Sequence, residues 1–248
     1  MILILFLLAL CWILWRLLFQ TGNRKARKNQ ARKKKKKSGL SGDTGKSENR
    51  LDAHEKGRYG ENQIALILEE YRTGHKREFT RVYKNLYVPY GDGTSEIDLV
   101  MIHEKGVFVF ESKFYGGWIY GGIKQEYWTQ KFPNGEEYLF YNPVRQNNTH
   151  IKALAKYLNF SPEYLKYFHS YIIFSDQCEL KKVPKNDKII IMKQSQLARR
   201  LSDELKSVKP IFTKQEAREI AERLKPLTNV SKKIQKEHIE YVQNLRKG

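Results

Sequence analysis

The sequence predicts a mixed α/β domain, a central β-sheet flanked by helices, preceded by one transmembrane helix and a basic tether. Three observations carry that prediction. Residues 1–15 are an unbroken apolar run, and Arg16 is followed by Leu-Leu-Phe. Residues 24–37 hold ten basic residues and no acid. Beyond residue 55 the apolar spacing changes along the chain from helical, to short β-branched and aromatic runs, and back to helical.

The first segment, 1–20, reads as a membrane anchor. Its apolar length is close to the roughly 20 residues that cross about 30 Å of hydrocarbon as a helix. No basic residue precedes the run and no small-residue cleavage pattern follows it, which separates it from a secretory signal. Trp12, Trp15 and Arg16 suit the interface at its basic end. The positive-inside rule then leaves the N-terminus outside and the globular domain in the cytoplasm, a single-pass protein of the cell membrane. Residues 21–55 follow as a flexible polybasic linker, rich in Ser, Gly and charge. The cluster at 24–37 has two readings, contact with anionic lipid or with nucleic acid, since lysines do not distinguish the two kinds of phosphate.

Of the net charge of +19, one unit comes from Arg16 and ten from 24–37, leaving a mildly basic +8 for residues 38–248. The two cysteines, Cys11 and Cys178, are far apart. They make neither a disulfide framework nor a zinc site.

Within the body, Lys56–Tyr71 has Ile64, Ile67, Leu68 and Tyr71 at helical spacing, with Glu61 in the expected first turn. Residues 81–89 read as a strand and 96–114 as a hairpin. Residues 118–122 and 123–129 suggest further strands around a Gly-rich turn. Pro143 suits the first position of a helix running to about 159. Residues 169–175 and 187–192 read as buried strands. Helices are expected at 195–205, at 213–224 with Thr213 and Glu216 as a capping box, and at 231–246.

The hairpin carries the chemistry. A turn at Glu104–Lys105 places His103 opposite Gly106 and Asp98 opposite Glu111, on one face of the sheet. Lys113, two residues past Glu111, points the same way. Facing carboxylates repel unless a proton or cation lies between them. An all-oxygen pair suits Mg²⁺, or Mn²⁺, which is often held by one or two carboxylates plus substrate phosphate. An adjacent lysine can orient water or balance transition-state charge. The spacing D-x₁₂-E-x-K is equally met by a structural salt-bridge cluster.

Four stretches, GENQIAL at 60–66, EIDLVMI at 96–102, GVFVFESKFYGGWIYG at 106–121 and NPVRQNNTHIKAL at 142–154, resemble in order and spacing the nuclease-related domain, NERD, of the PD-(D/E)XK nuclease-like superfamily. The resemblance covers residues 56–160, and leaves 161–248 as an α/β to helical extension without a catalytic motif. It implies a restriction-endonuclease-like fold. It also implies that Asp98 and Glu111 are metal-binding acids, that Lys113 is the catalytic lysine, that Glu61 completes the metal shell and that Gln146 is the polar position of the later helix. His150, four residues after Gln146, shares its helical face. His103 belongs to the turn, and Glu96 shares strand parity with Asp98. Trp118, Tyr120 and Trp128 are either packing residues or a platform for bases.

These expectations amount to a membrane-anchored, Mg²⁺-dependent nuclease acting on DNA or RNA. The alternative is a non-catalytic module that holds nucleic acid at the membrane, or a scaffold whose basic arm reads lipid.

Overall fold

Three consecutive strands with apolar cores, β1 (Thr80–Tyr90), β2 (Gly93–His103) and β3 (Gly106–Lys113), form an antiparallel meander. A computed structural model of the chain describes residues 45–245, apart from 162, 186 and 187. The anchor expected at 1–20 and the tether up to residue 44 lie outside the described residues. No helix among the described residues is long and apolar enough to cross a membrane.

The meander is extended by two parallel strands, β7 (Phe168–Phe174) and β9 (Ile189–Lys193), into a five-stranded mixed sheet of order β1-β2-β3-β7-β9. Between β3 and β7 the chain inserts β4 (Gly117–Tyr120), β5 (Tyr127–Lys131) and β6 (Glu137–Tyr141). Then comes helix α2 (Pro143–Tyr157). Strand β8 (Cys178–Lys182) pairs with β4, giving a second sheet of order β6-β5-β4-β8.

Both faces of the central sheet are covered. On one, Val100, Ile102, Val107 and Val109 pack with Ile151 and Leu154 of α2 and with Ala217, Ile220 and Leu224 of α4 (Lys214–Leu224). On the other, Leu99, Met101, Phe108 and Phe110 pack with Ile64 and Leu68 of α1 (Gly45–Gly74) and with Leu197, Leu201 and Leu205 of α3 (Leu197–Ser207). The last helix, α5 (Lys232–Leu245), reaches β2, where His238 Nδ1 and Thr94 Oγ1 are 2.9 Å apart. Thr213 and Glu216 form the expected capping box at α4.

The expectation and the structure differ at four places. Helix α1 begins at Gly45 rather than Lys56. Its added turns are polar and carry no periodicity to reveal them, and they convert the last part of the expected tether into helix. Glu61 is consequently in the middle of α1 and not at its N-terminal end. The short strands β6 and β8 escaped notice because EYLFY and CELKK lack a clean apolar alternation. The strand expected at 123–129 falls at 127–131. The buried Asn142 side chain holds residues 122–125 as a loop by donating to the carbonyls of Gly122, Ile123 and Gln125 at 3.1, 3.1 and 2.6 Å. Finally, the boundary drawn at residue 160 cuts through the central sheet, because β7 and β9 lie beyond it. Residues 51–248 cluster as one compact unit.

Candidate active site at the splayed end of the hairpin

The hairpin has the expected register. His103 pairs with Gly106 and the ladder runs to Leu99 opposite Phe110, which makes Glu111 the next residue opposite Asp98. There the ladder stops. The Ser112 N–H donates instead to Asp98 Oδ2 at 2.7 Å. On the other side of β2, pairing passes from Lys84–Leu99 to Leu86–Ile97 and skips Asn85 and Asp98. Asn85 has a φ of 51°, the left-handed conformation that Asn tolerates better than most residues. This double irregularity frees Asp98 from both neighbouring strands.

It also inverts the side-chain alternation. Ser95 bonds to α2 and Ile97 packs in the same core cluster as Val100 and Ile102. Glu96 is therefore turned to the opposite side from Ser95 and Ile97, where it accepts from Tyr87 Oη at 2.6 Å and lies 3.5 Å from His238 Nε2.

Glu111 is fully buried, and two donors hold its carboxylate. Lys113 Nζ donates to Oε1 at 2.6 Å and His150 Nε2 lies 3.0 Å from Oε2. Lys113 Nζ also donates to Gln146 Oε1 at 3.0 Å. Gln146 and His150 are one turn apart on α2, so they reach the same cluster. The start of that helix is fixed by Asn142, whose Oδ1 accepts from the Val144 N–H at 2.9 Å, and by Pro143. Glu61 approaches from α1, which passes close to the end of β3. A Cβ on Gly60 would lie 3.1 Å from both Ser112 Oγ and the Phe114 side chain.

Electrostatics sets the two acids apart. Burial, then the charges of Glu111 and Glu61, raise the Asp98 pKa well above its ordinary value, against the pull of Lys113 and the Ser112 N–H. Burial also pushes Glu111 upward, but Lys113 and His150 outweigh it and hold its pKa below the ordinary value. Burial lowers the Lys113 pKa less than Glu111, Tyr115 and Asp98 raise it, so it remains an ammonium. Lys113 and Glu111 are thus a charged pair, and beside them the Asp98 pKa is displaced in the opposite direction from that of Glu111.

Of the residues singled out in the sequence, Asp98, Glu111, Lys113, Gln146 and His150 come together, with Glu61 near enough to act on Asp98. Ser95 was missed, since nothing in its local sequence marks it. Its Oγ is 2.7 Å from His150 Nδ1. His103 sits at the turn, within 3.2 Å of Glu78, far along β2 from Asp98. Trp128 is core, stacked on Phe174, whereas Trp118 and Tyr120 lie beneath the ammonium groups of Lys181 and Lys131. Burial pushes the Cys178 thiol up to about 11, which makes it inert.

Among the described residues, no three His, Cys, Asp or Glu side chains are gathered as a ready-made metal cage. The donor set still fits a hard divalent cation that keeps much of its water. It is all oxygen, and burial together with the neighbouring carboxylates Glu111 and Glu61 makes ionised Asp98 costly there, a cost that a bound cation would offset.

A mixed sheet with helices on both faces, carrying an acid, acid, lysine set where two strands splay, defines an α/β domain with a buried ionic cluster at the sheet's end. The family model of the nuclease-related domain, NERD, matches residues 56–175. An uncharacterised protein of Bacillus anthracis is 30% identical over 189 residues, covering 76% of this chain and 84% of that protein. The chain belongs to the NERD family. The match runs past residue 160 and takes in β7. No solved structure matches the chain.

Proposed function

We propose that this chain is a membrane-anchored, metal-dependent nuclease that hydrolyses phosphodiester bonds of DNA or RNA. The supporting observation is the Lys113 ammonium, bound to Glu111 and Gln146 beside Asp98. Asp98 and Glu111 would hold Mg²⁺ or Mn²⁺, with Glu61 completing the shell. Such an ion, when bound, activates water and stabilises charge on a phosphoryl oxygen.

The chain's own groups do the rest. An ammonium has three N–H donors, and Glu111 and Gln146 take two. The third is available to a water or a phosphoryl oxygen. Gln146 fixes the direction of Lys113 without adding charge. Asp98, once ionised, adds a carboxylate from β2 to that of Glu111 on β3.

The test is cleavage of DNA and of RNA by the purified full chain, with and without divalent cation, beside Asp98→Ala, Glu111→Ala and Lys113→Ala. Metal-dependent cleavage lost in all three supports the assignment. Cleavage that survives all three belongs to another site or another protein.

The net charge of +8 on residues 38–248 and the ten basic residues of 24–37 favour a second reading, a module that binds nucleic acid without cutting it. Binding would then fall steeply with salt and ignore Mg²⁺. For the membrane part, residues 1–20 supply the anchor and 24–37 the contact with anionic lipid. Flotation of the full chain with neutral and anionic vesicles tests both, and no recovery with either rejects the anchor.

A further inference from the structure

We infer that Ser95 and His150 are positioning residues for Glu111, forming a hydroxyl–imidazole–carboxylate chain that fixes the orientation of that acid. This rests on the reading of Glu111 as a working acid. The links are Ser95 Oγ to His150 Nδ1 at 2.7 Å and His150 Nε2 to Glu111 Oε2 at 3.0 Å. All three side chains are buried.

The hydrogen bonds determine the ring's state. A carboxylate only accepts, so Nε2 carries the proton toward Glu111. In the neutral ring Nδ1 then accepts, and the Ser95 hydroxyl donates to it. The two oxygens of Glu111 are thereby held by different elements, Oε1 by Lys113 of its own strand and Oε2 by α2. Lys113 alone would leave Oε2 buried without a donor and the carboxylate free to turn about its last bond.

The chain also ties the two acids together. Ser95 is three residues before Asp98 on β2, and Glu111 is on β3. The β2–β3 ladder ends at Leu99–Phe110, so the strands have no backbone pairing at the acids themselves. The bridge through His150 spans that gap. Its ring is carried by a helix locked in place by Ile151 and Leu154.

The experiment uses the full chain with isotope-labelled histidine. Nitrogen NMR of the imidazole, at a pH where the ring is neutral, is expected to show His150 protonated on Nε2, with the preference weakened in Ser95→Ala. Protonation on Nδ1 overturns the inference. In cleavage assays, His150→Ala is expected to lower kcat about 10–100-fold, the usual loss for a residue that orients a metal-binding group, with KM for nucleic acid unchanged. Ser95→Ala is expected to lose about threefold to tenfold, one neutral hydrogen bond. It removes a single oxygen, so it remains informative should His150→Ala fail to fold. His150→Gln keeps an N–H of similar reach and is expected to recover part of the rate. No recovery in His150→Gln relative to a folded His150→Ala, or a change confined to KM, overturns the inference. A wild type that cleaves nothing under any divalent cation rejects the nuclease reading instead, and the ring tautomer then decides this inference alone.

Discussion

Two buried carboxylate clusters sit at opposite ends of the same strands, and they are built differently. Near the β2–β3 turn, Glu204 of α3 accepts from His169 Nδ1 at 2.6 Å and from the Tyr171 hydroxyl, with Arg200 3.6 Å away. Burial pushes Glu204 up, but these donors outweigh it and its pKa falls below the ordinary value. Glu78, with Tyr71, His103 and Lys105 around it, behaves the same way. At the splayed end, burial and then the charges of Glu111 and Glu61 push Asp98 upward, and Lys113 and the Ser112 N–H do not outweigh them. Ion clusters that hold a fold together supply each acid with enough donors. Asp98 lacks such a set of donors, which is the pattern common at functional sites.

The largest expected effect breaks the comparison from the structural side. Glu204→Ala leaves His169, Tyr171 and Arg200 without their shared acceptor and is expected to destabilise the domain by about 3–5 kcal/mol. Chemical denaturation measures this, and a loss below about 1 kcal/mol would show that the cluster is merely decorative. The nuclease rate per folded molecule should stay unchanged.

The complementary change is Asp98→Asn, which keeps an acceptor for the Ser112 N–H. Cleavage is expected to fall about 10²–10³-fold, the range seen when one electrostatic stabiliser is removed, with no loss of thermal stability. Loss of both together would make Asp98 a structural acid like Glu204.

The pH dependence of stability should carry opposite signs at the two ends. The folded pKa of Asp98 is raised, so its contribution is present below the unfolded carboxyl value of about 4 and is lost as pH rises toward the folded value. Without divalent cation, Asp98→Asn should therefore gain on the wild type as pH increases from about 4. The folded pKa of Glu204 is lowered, so its contribution is present above about 4 and disappears as pH falls toward the folded value. Glu204→Gln should accordingly approach the wild type in acid. Unfolding temperatures of the three chains across pH measure both, and parallel curves would remove the distinction.

The smallest effect is at Gln146. Gln146→Ala removes one hydrogen bond to a charged group and is expected to reduce cleavage roughly tenfold. Steady-state assays would show it, and no change would mean that Glu111 alone orients Lys113.

The same contrast explains what the sequence disclosed. The hairpin register was legible because a two-residue turn between apolar runs sets it, and no bulge at Gly106 shifts it. Asp98, Glu111 and Lys113 followed from counting. The capping box of Thr213 and Glu216 and the place of Pro143 were legible because capping is local chemistry. The inversion at Asn85 and Asp98 was not, since it depends on two strands departing from regularity together. Ser95 and His150 are 55 residues apart, and only the packing of α2 brings them into contact. Helix α1 concealed its first turns because their sequence is polar and shows no apolar period, and β6 and β8 concealed themselves because EYLFY and CELKK do not alternate cleanly.

The pairing of β4 with β8 has a practical result for anyone cutting this protein into pieces. A fragment that stops at residue 160 lacks β7, and leaves the outer edge of β3, with Glu111 and Lys113 on it, without its neighbour. One that stops at 175 restores β7 but exposes it where β9 should lie, and strips β4 of β8. Each bare edge offers a row of unsatisfied amides to the next molecule. The shortest soluble unit should therefore extend through β9 and through α3 and α4, which cover the two faces of the central sheet, well beyond the stretch by which the family is recognised.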